Sequence, residues 1–353
     1  MRLAALVEST THVCCRYRLA AFRPAFIAHG HTLDLYPLPQ SPLGRFFIGR
    51  NLAEYDAVIL QRKLLPRWVL ERLRRRIKRL IFDFDDALWL RDSYSAKGFH
   101  DPHRVARFQA TIAAADAVVA GNDYLAAQAR QYVAADRVHV VPTCVDVSKY
   151  SPRTEVPQKH LDTEVSSKSR LTSEKPPLTL VWIGSSSTLQ GLERFAPTLS
   201  AIGRALPGTR LKLICDRFTE FPPLIVQRSL WHEATEAQEI ATADVGIAWV
   251  PDDPWSHGKC GLKILQYQAA GLPVVANPVG VQAQMVHAGT GFQAVTTEQW
   301  VKAIRTLAAC PPLRAELGRA GRRQVEAQYS TAAGARLWLD LLERWSHRCR
   351  RAS

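Results

Sequence analysis

The residues best suited to chemistry fall in four short stretches. Phe82-Asp83-Phe84-Asp85-Asp86-Ala87-Leu88-Trp89 sets three carboxylates at the end of an apolar run. Strand alternation would send Asp83 and Asp85 to one side, with Asp86 opening the loop. Such groups orient an acceptor hydroxyl, help remove its proton or hold a cation; capping a helix is the plainer role. Pro254-Trp-Ser-His-Gly-Lys-Cys-Gly-Leu-Lys263 places Lys259 and Lys263 four apart, hence on one helix face. Gly258 and Gly261 flank Lys259, and their missing side chains let a ligand approach the backbone. Free amides at a helix start attract anions, and a lysine there adds a full positive charge facing such an anion. For Lys263 a solvated surface charge is the alternative. Gly184-Ser185-Ser186-Ser187-Thr188 offers amides, hydroxyls and a second helix start, a diphosphate cradle or else a simple cap. Cys15-Arg16-Tyr17-Arg18 carries two guanidiniums able to grip a phosphate bidentately. His257, beside the lysines, is the histidine to test.

The elements that must position these groups alternate from the first residue. Strand-like runs cover Arg2–Val7, Thr32–Tyr36, Ala57–Leu60, Leu80–Phe84, Asp116–Ala120 and Val138–Val141. Helical patterns fill the gaps, notably Arg67–Lys78 and His103–Ala115. This is a doubly wound α/β pattern. Residues 151–177 are rich in Ser, Thr, Glu, Lys and Pro and read as an exposed linker or mobile insertion. A second set of strands follows at Leu178–Ile183, Leu211–Cys215, near Leu230 and Trp231, Val245–Val250 and Val274–Ala276, with helices over Thr235–Ala241, Trp300–Leu307, Pro312–Tyr329 and Ala332–Trp345. Open α/β sheets bind ligands beyond the carboxyl ends of their strands, which is where all four chemical stretches lie.

A chain of 353 residues suits two domains. No run approaches the 18 to 20 apolar residues that span a bilayer. The opening Met1–Val7 reads as a strand and not a leader, because Glu8, Ser9 and Thr10 end the apolar run, so the expected location is cytoplasmic. The seven cysteines lack any C-x-x-C pairing and read as reduced structural thiols. The net charge of +14 concentrates between Arg62 and Arg79, where it would suit an anionic membrane surface or an acidic polymer. No zinc-finger, RRM or helix-turn-helix pattern accompanies it, which disfavours nucleic acid. No G-x-G-x-x-G follows the first strand, which disfavours a Rossmann oxidoreductase.

The stretch ending in Ala269-Ala-Gly-Leu-Pro-Val-Val-Ala276 resembles the signature segment of retaining GT-B glycosyltransferases of family 4. Where that family carries two glutamates, Gly258 and Gln266 stand here; where its phosphate loop carries Arg and Lys, Ser185 and Gln190 stand. The wording Gly258-Lys-Cys-Gly-Leu-Lys…Gln266-Tyr267, together with Asp83-Phe-Asp-Asp-Ala87 and Cys15-Arg-Tyr-Arg18, is similar to a bacterial sub-branch of these enzymes. Pro142-Thr-Cys-Val-Asp146 resembles the family's Pro-Asn-Gly-Val-Asp segment closing the first domain. The resemblance implies a GT-B fold, two Rossmann-like doubly wound domains facing a cleft with the C-terminal helix crossing back. The division would be 1–150 on the acceptor side, 151–177 linker, 178–330 binding the nucleotide sugar, and 331–353 as crossover helix.

The same resemblance implies transfer of a sugar from a nucleotide-diphosphate donor to a hydroxyl with retention, in synthesis of an envelope polysaccharide, glycolipid or related glycan. Asp85, Asp86 and Lys259 would be catalytic. Gly184, Ser185, Ser186, Ser187, Thr188, Gly258, Gly261, Lys263 and Gln266 would bind the donor, with Gln266 at the ribose. Arg16, Arg18 and Asp83 would meet the acceptor or a phosphate. No metal and no cofactor beyond the nucleotide sugar is expected. The partners would be a glycan or lipid-linked acceptor and, peripherally, the anionic inner face of the membrane. The altered acidic and basic positions leave a binding or scaffolding protein without turnover as the alternative.

Overall fold

The structure, a computed structural model, describes residues 1–39, 41, 44, 48, 51–152 and 177–350, the last five of these by backbone alone. The first sheet is built from β1 (Arg2–Val7), β2 (Thr32–Pro37), β3 (Ala57–Gln61), β4 (Leu80–Phe84), β5 (Ala117–Ala120) and β6 (Val138–Val140). The second contains β7 (Thr179–Ile183), β8 (Arg210–Cys215), β9 (Ile225–Leu230), β10 (Val245–Ala248), β11 (Val274–Ala276) and β12 (Gly291–Gln293). Every strand pairing is parallel. Strands such as β3, β4 and β7 are buried along their whole length, so their sequences read as continuous apolar runs rather than alternating ones.

The strand orders are β2-β1-β3-β4-β5-β6 and β12-β11-β10-β7-β8-β9. Both are doubly wound, and each reverses direction once: between β1 and β3 in the first sheet, between β7 and β10 in the second. Crevices open beyond the carboxyl ends of strands at such points. The loops leaving β1, β3, β7 and β10 flank these crevices, and the loop leaving β4, next to β3, lies beside them.

The C-terminal helix, Thr331–Arg350, crosses back to the first sheet. Trp338, Leu339, Leu341 and Leu342 pack with Phe22, Phe26, Ile59 and Ile81. Each large apolar side chain so buried stabilises by about 1.5–3 kcal/mol. The chain returns by a short parallel bridge, Val145 against Ser330, and Arg322 Nη1 donates to the carbonyls of Tyr150 and Ala269, both at 2.5 Å.

Three sequence expectations shift. The basic helix stops at Arg74 and not Lys78; Arg76 N bonds back to Leu73 O at 2.9 Å, and the chain runs directly into β4. The Pro312–Tyr329 pattern splits into an α-helix over Pro311–Gln324 and a π-turn over Val325–Tyr329. Strand β12 goes unread because Gly-Phe-Gln is too short to show a period. The linker reading of 151–177 falls almost wholly outside the described residues. Among the described residues no helix is long and apolar enough to cross a membrane.

Candidate active site between the two sheets

Asp83, the last-but-one residue of β4, is fully buried, and so is Arg18. Arg18 Nε donates to both Asp83 oxygens at 3.0 and 3.1 Å, Nη2 to Oδ1 at 2.5 Å, and Nη1 to Val141 O at 2.9 Å. Gln61 Nε2 adds a contact to Asp83 Oδ2 at 3.2 Å. Burial opposes the charge on both partners, pulling the Asp83 carboxyl upward, but each works against that pull on the other. The bidentate geometry keeps the pair ionised. Both Asp83 oxygens are engaged and both side chains are shut from solvent, so in this structure the pair, expected to meet the acceptor or a phosphate, ties the Val13–Arg18 helix to the end of β4.

Asp85 does not follow Asp83. Strand β4 ends at Phe84, so alternation lapses, and Asp85 pairs instead with Arg62 Nη1. Burial works against ionisation of Asp85, yet Arg62 and then Arg18 more than offset it and hold the carboxyl below its usual range. Asp86 lies between two cations from different sheets. Its Oδ2 accepts from Arg62 Nη2 at 2.6 Å and its Oδ1 from Lys259 Nζ at 3.0 Å. Arg62 is a residue the sequence reading assigned to a cationic surface. It is the only non-glycine with positive φ among the described residues, at 58°, in a region costly for side chains of its size. Its amide bond to Asp83 O, 2.8 Å, fixes that turn and aims the guanidinium at the aspartates.

The Gly258–Gly261 loop reaches the first sheet by close backbone approach. A Cβ on Gly258 would lie 2.7 Å from Ala87 N, so this missing side chain accommodates the neighbouring domain rather than a ligand. Asn122 Nδ2 donates to Gly258 O and Lys259 O at 3.3 and 3.1 Å, and Cys260 Sγ to Asp85 O at 3.3 Å. Gly261, at φ 69°, is the N-cap of the Leu262–Ala269 helix, a left-handed position that favours glycine.

Lys263 lies in the first turn of that helix, its Nζ 4.9 Å from the Trp182 ring centre. Burial, then the nearby Lys259, pull its pKa down to about 8. No carboxylate pairs with it among the described residues. The loop after β7 lies beside Trp182. Gly184 N bonds Ile214 O at 3.0 Å, Ser185 and Thr188 form a reciprocal capping box, and Ser187 Oγ lies 2.8 Å from Ser185 Oγ. Ser186 N and Oγ donate to Asp216 at 2.6 and 2.8 Å, and these bonds, the hydroxyl's first, hold that carboxyl below its usual range. Asp216, invisible as a partner in the sequence, thus already sits on an amide at this helix start.

Gln266 is buried and spans the sheets. Its Nε2 donates to Tyr17 Oη at 3.1 Å and Tyr150 Oη at 3.3 Å. Tyr17 Oη in turn donates to Glu236 at 2.7 Å, as do Arg16 Nη2 at 3.2 Å and Trp231 Nε1 at 2.8 Å. Arg16 also pairs with Glu233 at 2.9 Å. Arg16 and Gln266 therefore close a network between the two sheets. His257 faces Asp252 at 2.8 Å and the Tyr124 ring at 5.7 Å. A groove of about 580 Å³ beside the C-terminal helix, lined by His29, Gln328 and Arg336 among others, contains none of these residues.

The arrangement can hold an anion on Lys263, Lys259 and the loop after β7, opposite a carboxylate pair steadied by Arg62. Comparison with known proteins bears on the fold. A family model described as glycosyl transferase-like matches residues 194–340. A search of curated proteins by sequence finds no match. Sucrose-phosphate synthase from Thermosynechococcus elongatus is similar in structure, with 17% identity, 99% of each chain covered and a TM-score of 0.70. A glycosyltransferase from Rickettsia africae has 13% identity, coverage of 97% and 98%, and a TM-score of 0.70. Anabaena HepE in complex with UDP-glucose has 14% identity, coverage of 98% and 100%, and a TM-score of 0.65. The shared architecture is GT-B: two Rossmann-like domains facing one another.

Proposed function

We propose that this chain is a glycosyltransferase that moves a sugar from a nucleotide-diphosphate donor to an acceptor hydroxyl. The observation that carries the reading is Lys263: a partly buried ammonium, beside a second lysine, at the switch point of the second sheet, with no acid paired to it among the described residues. An anion at that place restores the balance that burial upsets. The glycosyl transferase-like match and the UDP-glucose in the HepE complex support a nucleoside diphosphate as that anion, and make UDP-glucose the first probe.

The finer reading is transfer with retention, as the signature segment implies. The acceptor oxygen bonds to the anomeric carbon as the carbon–oxygen bond to the diphosphate breaks, and the acceptor proton passes to the departing diphosphate on the same face. Lys259 and Lys263 stabilise the charge on the leaving group; Asp85 and Asp86 orient the acceptor. Gln266 takes part by setting the distance between domains through Tyr17 and Tyr150, and its side-chain oxygen remains for a ribose hydroxyl. The acceptor is a glycan or lipid-linked sugar of envelope synthesis.

The test is binding of UDP-, GDP- and ADP-glucose followed by calorimetry from pH 6.5 to 9. With its pKa at about 8, Lys263 is charged below about pH 7, half-charged near pH 8 and largely neutral by pH 9. Affinity should be flat below pH 7 and fall on the order of tenfold by pH 9. Fold stability should move the other way in that window, because the folded pKa is below the unfolded value and the cost of burying the charge is relieved as pH rises. A flat affinity profile removes Lys263 from the site; no binding of any donor refutes the nucleotide reading.

Membrane contact is a separate part of the proposal. Trp68 and Arg67 of the Arg67–Arg74 helix are exposed, Arg67 pairing with Glu71 at 3.4 Å; Arg74 pairs with Asp116, Arg76 donates to Ile48 O, and Lys78 approaches Asp56. The free cationic face is smaller than the sequence suggests. At about 1 kcal/mol per basic residue, we expect sedimentation with anionic vesicles at low salt and release near 0.15 M. Equal recovery with neutral vesicles would leave the charge to solubility.

A further inference from the structure

Asp86 is the carboxylate on which both halves of the candidate site converge. Lys259 reaches it across the domain boundary, although Lys259 is also next to Lys263, the lysine on which the donor reading rests. The loop that carries Lys259 does not depend on this ion pair for its place. Asn122 holds the carbonyls of Gly258 and Lys259, and Cys260 is bonded to Asp85 O. The Lys259 side chain is 36% exposed and lies against the Trp255 ring at 4.8 Å, so it can change partners while its backbone stays fixed. Asp86, by contrast, is 11% exposed and also tied to Arg62, whose turn is locked to β4.

We infer that Asp86 is a placeholder anion for the donor diphosphate, and that donor binding exchanges it. Lys259 leaves Asp86 for the diphosphate, which brings two charges to a site where Lys263 already lacks an acid. Asp86 Oδ1 is thereby released to accept a hydrogen bond from the acceptor hydroxyl. Arg62 is the positioning residue: its grip on both Asp85 and Asp86 keeps the freed carboxylate aimed during the exchange. The acceptor's hydrogen-bond acceptor is thus uncovered only once donor is present, giving an ordered, donor-first sequence and suppressing futile acceptor binding. The inference rests on the nucleotide-sugar reading above.

A double-mutant cycle tests it. Calorimetry with UDP-, GDP- and ADP-glucose compares wild type, Asp86→Asn, Lys259→Ala and the double variant. With its competitor removed, Asp86→Asn should bind donor about 3- to 10-fold more tightly while its kcat falls. Lys259→Ala should bind at least tenfold more weakly, and in that background Asp86→Asn should bring no gain. Unchanged or weaker binding by Asp86→Asn, or a gain that persists without Lys259, overturns the exchange while leaving the nucleotide reading intact. No binding by any protein overturns both. Melting curves check folding, and Asp86→Ser repeats the measurement if the asparagine variant does not fold. For Arg62, Arg62→Lys should recover most of the kcat lost in Arg62→Met at unchanged donor affinity; loss of donor affinity in Arg62→Met would make it a structural residue and not a positioning one.

Discussion

Asp83→Ala should lower the stability of the folded chain by about 3–5 kcal/mol, the cost of leaving one partner of a buried ion pair uncompensated. Arg18 is 1% exposed and gives three of its hydrogen bonds to Asp83, and no other carboxylate bonds it among the described residues. The released guanidinium would remain in a space closed by Gly121, where even a Cβ would come within 3.1 Å of Arg18 Nη1. For a domain of this size the shift in Tm is on the order of 10 °C, readable by circular dichroism. Removing both charges together, as Arg18→Met with Asp83→Leu, should cost far less than either single change, since apolar replacements of a buried pair are often neutral. A single Asp83→Ala variant melting within about 2 °C of wild type would show that the pair is open to water and available to a ligand after all.

Much of this architecture is legible in the residues, and the reasons are local. Strands β1, β4 and β11 stand out because parallel strands covered on both faces need near-continuous apolar runs, interrupted in β4 only by Asp83, and the Ala-Ala-Gly-Leu-Pro turn marks where the Leu262–Ala269 helix must stop. Lys259 and Lys263 are legible as a pair of cations beside glycines, but the shared helix face expected from their spacing does not form: Lys259 lies in the Gly258–Gly261 loop and only Lys263 is on the Leu262–Ala269 helix. Arg16 and Arg18 show the limit of that kind of reading. Two residues apart on a helix, they point about 200° apart, so one motif sends Arg18 into the core and Arg16 to Glu233 and Glu236.

What stays hidden depends on register between distant segments. Arg62 looks like one cation among many until the pairing of β3 with β4 sets Gln61 beside Asp83 and the following turn swings Arg62 onto Asp85 and Asp86. Glu236 and Tyr150 are unremarkable in sequence, and only the docking of the two sheets joins them through Tyr17 and Gln266. Asp216 is hidden for the same reason, since it meets Ser186 across thirty positions of chain. The glutamine at position 266 gains meaning here: a carboxylate in its place would face the same two tyrosine hydroxyls near Glu236, placing two acids around one buried pair of phenols, whereas the amide donates to both.

Lys259→Ala should lower kcat/KM for sugar transfer by about 10²- to 10³-fold, or about 2.7–4 kcal/mol, the usual cost of removing one donor aimed at developing negative charge. The fold should barely notice. The Lys259–Asp86 pair is more than one-third exposed on the lysine side, and surface ion pairs of that kind contribute about 0–1 kcal/mol; Asp86 also keeps Arg62 at 2.6 Å. If Lys259 acts on the leaving diphosphate in the transition state, kcat and kcat/KM should fall together. If it only holds the ground-state donor, KM should rise with kcat unchanged. Lys259→Arg should restore part of the rate by keeping the charge, though a planar guanidinium differs in reach and geometry from a point ammonium. Steady-state assays of donor hydrolysis and of transfer separate these cases. A variant with wild-type kcat/KM would take Lys259 out of the site and leave the donor to Lys263 and the amides after β7.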